Sequence, residues 1–182
     1  VDVEHIHQAT LETLATIGLA DAPPSCSQLV TGAGGTVTGD GRLLFPRALV
    51  EDTVALAARN IVLHGQDPRH DMELSGSRTY FGTAGAAVHV VDTVNGEYRD
   101  STIQDLYAAA RIVEVMEHIH FFQRPLIVRD IEDPREMDLT TCYAAVAGTS
   151  KHVGTSFVDP AHADEVIDML ELIAGGETNW RA

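Results

Sequence analysis

Residues 101–131, STIQDLYAAARIVEVMEHIHFFQRPLIVRDI, change character midway, and that change decides the fold. Leu106, Ala109, Ala110 and Val113 recur at the spacing of one helical face, whereas FFQRPLIVRDI is a short apolar run of the kind a buried strand carries. A helix from Ser101 feeding a strand at 121–128 is half of a parallel crossover unit. The pattern then repeats, because REMDLTTCYAAVAGT reads as a helix, KHVGTSFVD as a strand at 152–158, and ADEVIDMLELIAGG as a helix. The two strands are about 30 residues apart, the usual length of a βα unit with a right-handed connection. An α/β fold follows, either a doubly wound sheet or the start of a (β/α)8 TIM barrel. A barrel normally takes about 250 residues, so two strands followed by GGETNWRA read as the front of something longer.

Upstream, the period shortens. NIVLHG, HDMELSG, RTYFGTAG, AVHVVDT and GEYRD alternate like antiparallel strands, with Asn95-Gly96 as a hairpin turn. Pro46 is placed to open a helix through RALVEDTVALAA, and TVTGDGRLLF reads as a short hairpin. The segment from Asp21 to Gly35 reads as turns around Pro23-Pro24. Residues 3–17 form an amphipathic helix stopped by Gly18. Residues 1–100 are therefore an α+β extension with antiparallel strands, and residues 101–182 the first two βα units.

The 182 residues are 45% hydrophobic and 21% charged, a globular balance that supports a core. Twenty-seven acidic residues against 12 basic ones give a net charge of −15, and no cluster of five Lys or Arg occurs. Nucleic acid and anionic membrane surfaces are thereby excluded as expected partners. Cys26 and Cys142 lie far apart without a C-x-x-C spacing, there is no basic leader, and no run of 18 apolar residues exists. A cytoplasmic location is the expectation.

RTYFGTAGAAVHVVD, residues 78–92, carries glycines but no phosphate loop, since a strand follows Gly85 and no Lys is near. The glycines serve a bend or a close backbone approach. Two H-x-H pairs invite a metal reading. His5 and His7 sit in a helix, where i and i+2 point apart. His118 and His120 precede the strand, at the end of a barrel opposite to catalysis, which leaves a metal-dependent barrel hydrolase as an alternative class. His89 reads as a hydrogen-bonded interior histidine. Arg129 and Asp130 close the first strand, and Ser156, Phe157 and Asp159 the second, positions on an active-site rim. A structural pair is the plainer role for Arg129 and Asp130, and Asp130 or Asp133 can cap the helix at REMDL. Asp92 and Arg99, flanking Asn95-Gly96, read as a structural charge pair.

Several motifs occur together: the G-x-D-P turn at Gly65 to Pro68, FGTAG at 81–85, a G-x-x-R-x-x-T-x-x-D series from Gly96 to Asp105, and SKHVGTS at 150–156. With GRLLFPRALVEDTVALA and the closing ELIAGGETNWRA, their order resembles the trimethylamine methyltransferase family over the whole length. The family includes pyrrolysine-containing trimethylamine enzymes and relatives that demethylate quaternary amines such as glycine betaine. The resemblance implies a (β/α)8 barrel with an N-terminal extension, much of it beyond this stretch, including the pyrrolysine position. It implies transfer of a methyl group from a small methylated amine to the Co(I) centre of a separate corrinoid protein. No cofactor is then bound directly, the cobalamin-type corrinoid being carried by the partner, and a homo-oligomer is expected. Tyr80 and Phe81 become candidates for an aromatic wall around the cationic amine, with Thr83 beside them. Arg129, Asp130 and Ser156 become candidates for the rim. Ordinary core packing is the competing role for both rings, and a non-catalytic methylamine-binding homologue the competing function.

Overall fold

The computed structural model describes residues 2–176 and Asn179. The position after the last helix, where a further strand is expected, lies otherwise outside the described residues. The chain forms two compact units, Val1–Ala58 and Arg59–Ala182.

In the first unit, helix α1 (Val3–Thr16) begins at an Asp2 cap whose carboxylate accepts the Glu4 N–H at 3.0 Å. It stops just before Gly18, as the sequence indicates. The expected hairpin forms, with β1 (Thr36–Val37) antiparallel to β2 (Leu43–Leu44). Between α1 and β1 lies a helix that the turn-rich reading missed, α2 (Pro24–Gly32). Pro24 occupies its first turn, where no N–H is needed. Pro46 precedes helix α3 (Arg47–Leu56) as its cap, one position earlier than expected. Helix α1 packs on α3 and β2, and Leu11 and Leu43 are the buried anchors.

In the second unit, β3 (Ile61–Leu63) pairs antiparallel with β4 (Met72–Leu74), and β5 (His89–Val91) with β6 (Tyr98–Asp100) across Asn95-Gly96. The order then runs α4 (Ile103–Val115), β7 (Phe121–Gln123), α5 (Pro134–Gly148), β8 (His152–Gly154) and α6 (Ala163–Ala174). Strands β7 and β8 are parallel, with Phe121 opposite His152 and Gln123 opposite Gly154. Both strands are shorter than the sequence suggests. Pro125 has no N–H to continue a ladder. Helix α4 ends at Val115, because the carbonyls of Val113, Met116 and Ile119 turn to the ammonium of Lys151.

One sequence expectation is corrected here. The stretch FGTAGAA does not belong to the antiparallel region; it runs parallel to β7, with bridges Gly82 to Phe121 and Ala87 to Leu126. The backbone bonds confirm the direction: His120 N–H donates to Phe81 O at 2.7 Å, Ala87 N–H to Pro125 O at 3.0 Å, and Ile127 N–H to Ala87 O at 2.8 Å. Three parallel rows thus lie side by side, residues 81–87, then β7, then β8. The alternation of small residues hid the direction, since a period of two is common to both kinds of pairing. Gly82 is required by its neighbour, because a Cβ there would overlap the Phe121 ring.

Leu106, Ala110 and Val113 of α4, Phe122 and Val128 around β7, and Ala144 and Ala145 of α5 form one buried cluster. Each large side chain among them contributes about 1.5–3 kcal/mol on burial. Phe122 therefore faces the helices, and Phe121 and Gln123 project from the opposite face by strand alternation.

Candidate functional site

The three parallel rows have two ends, and the six candidate residues divide between them. At the N-terminal end, Tyr80 and Phe81 gather around His120. The Phe81 N–H donates to His120 Nδ1 at 3.0 Å, and the two rings stack with centroids 6.4 Å apart. Tyr80 meets the same imidazole edge-on at 5.4 Å, and its hydroxyl donates to Glu73 O at 3.3 Å. Thr83, one step along, donates to Gln123 O at 2.6 Å. A cavity of about 340 Å³ opens here, lined by Tyr80, His120, Met72 and Met116 among others.

The G-x-D-P turn ties this end to the start of β8. Asp67 accepts the Arg69 N–H at 2.9 Å, and its own N–H donates to Ser150 O at 3.1 Å. The side-chain and backbone bonds from Arg69 hold its carboxyl down at about 2. Gln66 donates to Val146 O and Thr149 O at 2.7 and 2.6 Å. His152 Nδ1 lies 2.9 Å from His64 O and must donate to it. Burial works against ionisation of Glu114, but donation from the Thr149 hydroxyl and from the Ser150 N–H and hydroxyl prevails and lowers its pKa. Lys151, 4% exposed, gives its three ammonium hydrogens to the Val113, Met116 and Ile119 carbonyls at 2.6–2.7 Å. Burial lowers its pKa, opposed by Glu114. Its donors are spent on structure.

The R-x-x-T-x-x-D series joins the hairpin to α4. Arg99 grips Asp105 with two parallel bonds of 2.7 and 2.8 Å, while Asp105 accepts the Thr102 N–H and hydroxyl at 2.8 Å each. The expected Asp92–Arg99 pair is present at 3.7 Å, but Asp105 is the closer partner.

At the C-terminal end, Asp130 caps α4 and not the following helix, accepting the Ile103 N–H at 3.0 and 3.3 Å. Asp133 caps α5, accepting the Glu136 N–H at 2.8 Å. Arg129 approaches Asp100 at 3.9 Å, and Asp100 is shared with His89 at 3.2 Å. Ser156 accepts a bond of 2.7 Å from Arg124, whose N–H donates to Gly154 O at 3.0 Å. Behind this rim, buried Asp138 of α5 accepts Val158 N–H, Asp159 N–H and His162 Nδ1 at 2.8, 3.3 and 2.8 Å. Burial alone would raise the Asp138 pKa; the His162 bond and the two backbone donors lower it.

Tyr80, Phe81 and Thr83 thus stand at or near the start of the parallel rows, and Arg129, Asp130 and Ser156 beyond their finish. Ligands of parallel α/β sheets bind beyond the carboxyl ends of the strands, so the rim is the candidate site. Sequence reasoning missed Arg124, because the residue before a proline inside an apolar run reads as part of the strand. It missed Asp138 because one acid in a helix carries no signal of the loop it anchors. Among the described residues no group of three or more His, Cys, Asp or Glu could hold a metal ion. Nor is any helix long and apolar enough to cross a membrane.

Comparison with known proteins adds a family. A family model described as trimethylamine methyltransferase (MTTB) matches residues 2–181. Trimethylamine methyltransferase MttB of Desulfitobacterium hafniense is 29% identical over 177 residues, covering 97% of this chain and 36% of that protein. The MttB of Methanosarcina thermophila is 25% identical over 182 residues, covering 97% of this chain and 37% of its own length. MttB2 of Methanosarcina mazei is 26% identical over 182 residues, with coverage of 97% and 36%. The chain therefore spans little more than a third of the length of these curated relatives.

Proposed function

The chain belongs to the trimethylamine methyltransferase family, and from that premise we propose that it is the N-terminal part of an enzyme moving a methyl group from a small methylated amine to the Co(I) of a separate corrinoid protein. The observation that carries this reading is the family match along residues 2–181. The parallel rows 81–87, β7 and β8, with helices packed on one face, support the further proposal that they begin a (β/α)8 barrel.

On this reading the corrinoid belongs to the partner protein and supplies the nucleophile. The task left to this enzyme is to bind the amine with one methyl carbon facing the entering metal, since in-line placement supplies much of the rate. A quaternary ammonium such as glycine betaine releases a neutral tertiary amine and needs no proton, whereas trimethylamine must first be protonated or otherwise activated. The rim that receives the amine is the one bearing Arg124, Arg129 and Ser156. Asp130 is committed to the α4 N-terminus, and the Tyr80–Phe81–His120 cluster stands at the opposite end of the rows.

The test mixes the full-length protein with reduced corrinoid protein and a panel comprising trimethylamine, glycine betaine and choline. Methyl transfer from at least one amine, followed by the corrinoid absorption spectrum, is the expected outcome. Absence of transfer from every methylated amine would refute the proposal.

A further inference from the structure

The sequence carries 27 acidic residues against 12 basic ones, and the arginines Arg69, Arg78, Arg99, Arg129 and Arg135 all stand against carboxylates. Arg124 does not. It is half-buried at the carboxyl ends of β7 and β8, and its side-chain partner among the described residues is the Ser156 hydroxyl at 2.7 Å. A guanidinium has five N–H donors, and this bond uses one. Ser156, having accepted it, retains its own O–H to donate. Two adjacent donors on a cation form the fork that matches the two oxygens of a carboxylate.

A neighbouring polar group is also uncommitted. Thr155 Oγ1 is buried without a hydrogen-bond partner among the described residues. The Gln123 carboxamide lies close by, where a side chain on Gly154 would collide with it. A buried polar group without a partner is costly, and Thr155 Oγ1 stands next to Ser156 at the strand end.

We propose that Arg124 and Ser156 form a carboxylate-binding subsite that selects a methylated amine carrying its own carboxylate over one that carries none. The inference rests on the methyltransferase reading for the amine half of the substrate. A bare methylammonium cation is repelled by Arg124, whereas a zwitterion places its anionic end on the fork and leaves its methyl groups free to react.

Isothermal titration calorimetry on the full-length protein tests this with glycine betaine and choline, which share a trimethylammonium head and differ in the carboxylate. Glycine betaine binds the more tightly to the unaltered protein. Arg124→Gln weakens it about 10- to 100-fold, Arg124→Lys less, and Ser156→Ala a few-fold, while choline binding does not weaken in any of them. Ser156 is exposed, so Ser156→Ala keeps the test open if Arg124→Gln fails to fold. The subsite is overturned if choline binds as tightly as glycine betaine, or if the variants leave the ratio of the two affinities unchanged. Methyl transfer from choline or trimethylamine but not from glycine betaine also overturns it while the methyltransferase reading stands. Absence of transfer from all amines removes that reading, and the Arg124 dependence of glycine betaine binding still decides the subsite.

Discussion

Phe81 and His120 are joined twice: the Phe81 N–H donates to the imidazole Nδ1 at 3.0 Å, and the His120 N–H donates to the Phe81 carbonyl at 2.7 Å. The imidazole thereby completes the first rung between residues 81–87 and β7. His120→Ala leaves the Phe81 N–H without its acceptor, and a loss of about 1–2 kcal/mol is expected in urea unfolding of the full-length protein. Amine affinity stays within about twofold, as suits a group remote from the rim. A large loss of affinity with unchanged stability would return Tyr80 and Phe81 to the substrate.

Gly82 and Phe121 give a second expectation. Any side chain at 82 meets the Phe121 ring, so Gly82→Val costs about 1–3 kcal/mol through overpacking. Adding Phe121→Ala removes the clash, and the double variant is less destabilised than the two single effects summed. Strict additivity in chemical denaturation would show that the two residues do not touch.

Asp105 sets a pH dependence. Arg99 holds its carboxyl well below the usual range, and the Thr102 N–H and hydroxyl add to this against the effect of burial. A carboxyl depressed in the folded state stabilises above its unfolded pKa of about 3.9 and loses that contribution as pH falls through the folded value. Asp105→Asn should therefore be about 2–3 kcal/mol less stable at neutral pH, with the gap from the unaltered protein narrowing only below about pH 4. A gap that narrows between pH 8 and pH 6 would contradict this account.

Asp138 ties the rim to α5. Asp138→Ala strands two backbone N–H groups and His162, and about 2–4 kcal/mol of destabilisation is expected. Because residues 156–162 lose their anchor, limited proteolysis should cut there first. Cleavage elsewhere at an unchanged rate would show that the loop is held by something other than this carboxylate.

The helices were the most legible part of the chain. The apolar stripe of α4, the Asp133 cap of α5 and the β7–α5–β8 repeat each have a local cause, visible as spacing or residue type. The parallel direction of FGTAGAA was not, because it depends on His120 and Phe121, some 40 residues away in sequence. The rim followed the same rule: Ser156 was legible from its place after a strand, whereas Arg124 and Asp138 took their meaning from partners 32 and 20–24 residues away. Asp130 was legible as a cap but not as the cap of α4.

Lys151 is the single lysine of the sequence, and its ammonium is enclosed by the carbonyls of Val113, Met116 and Ile119. An acylating reagent therefore finds no lysine to label in this stretch of the folded protein. Once the seam between the end of α4 and the start of β8 parts, that amine is released, and a mass tag on the peptide containing it becomes a clock for the opening of this seam.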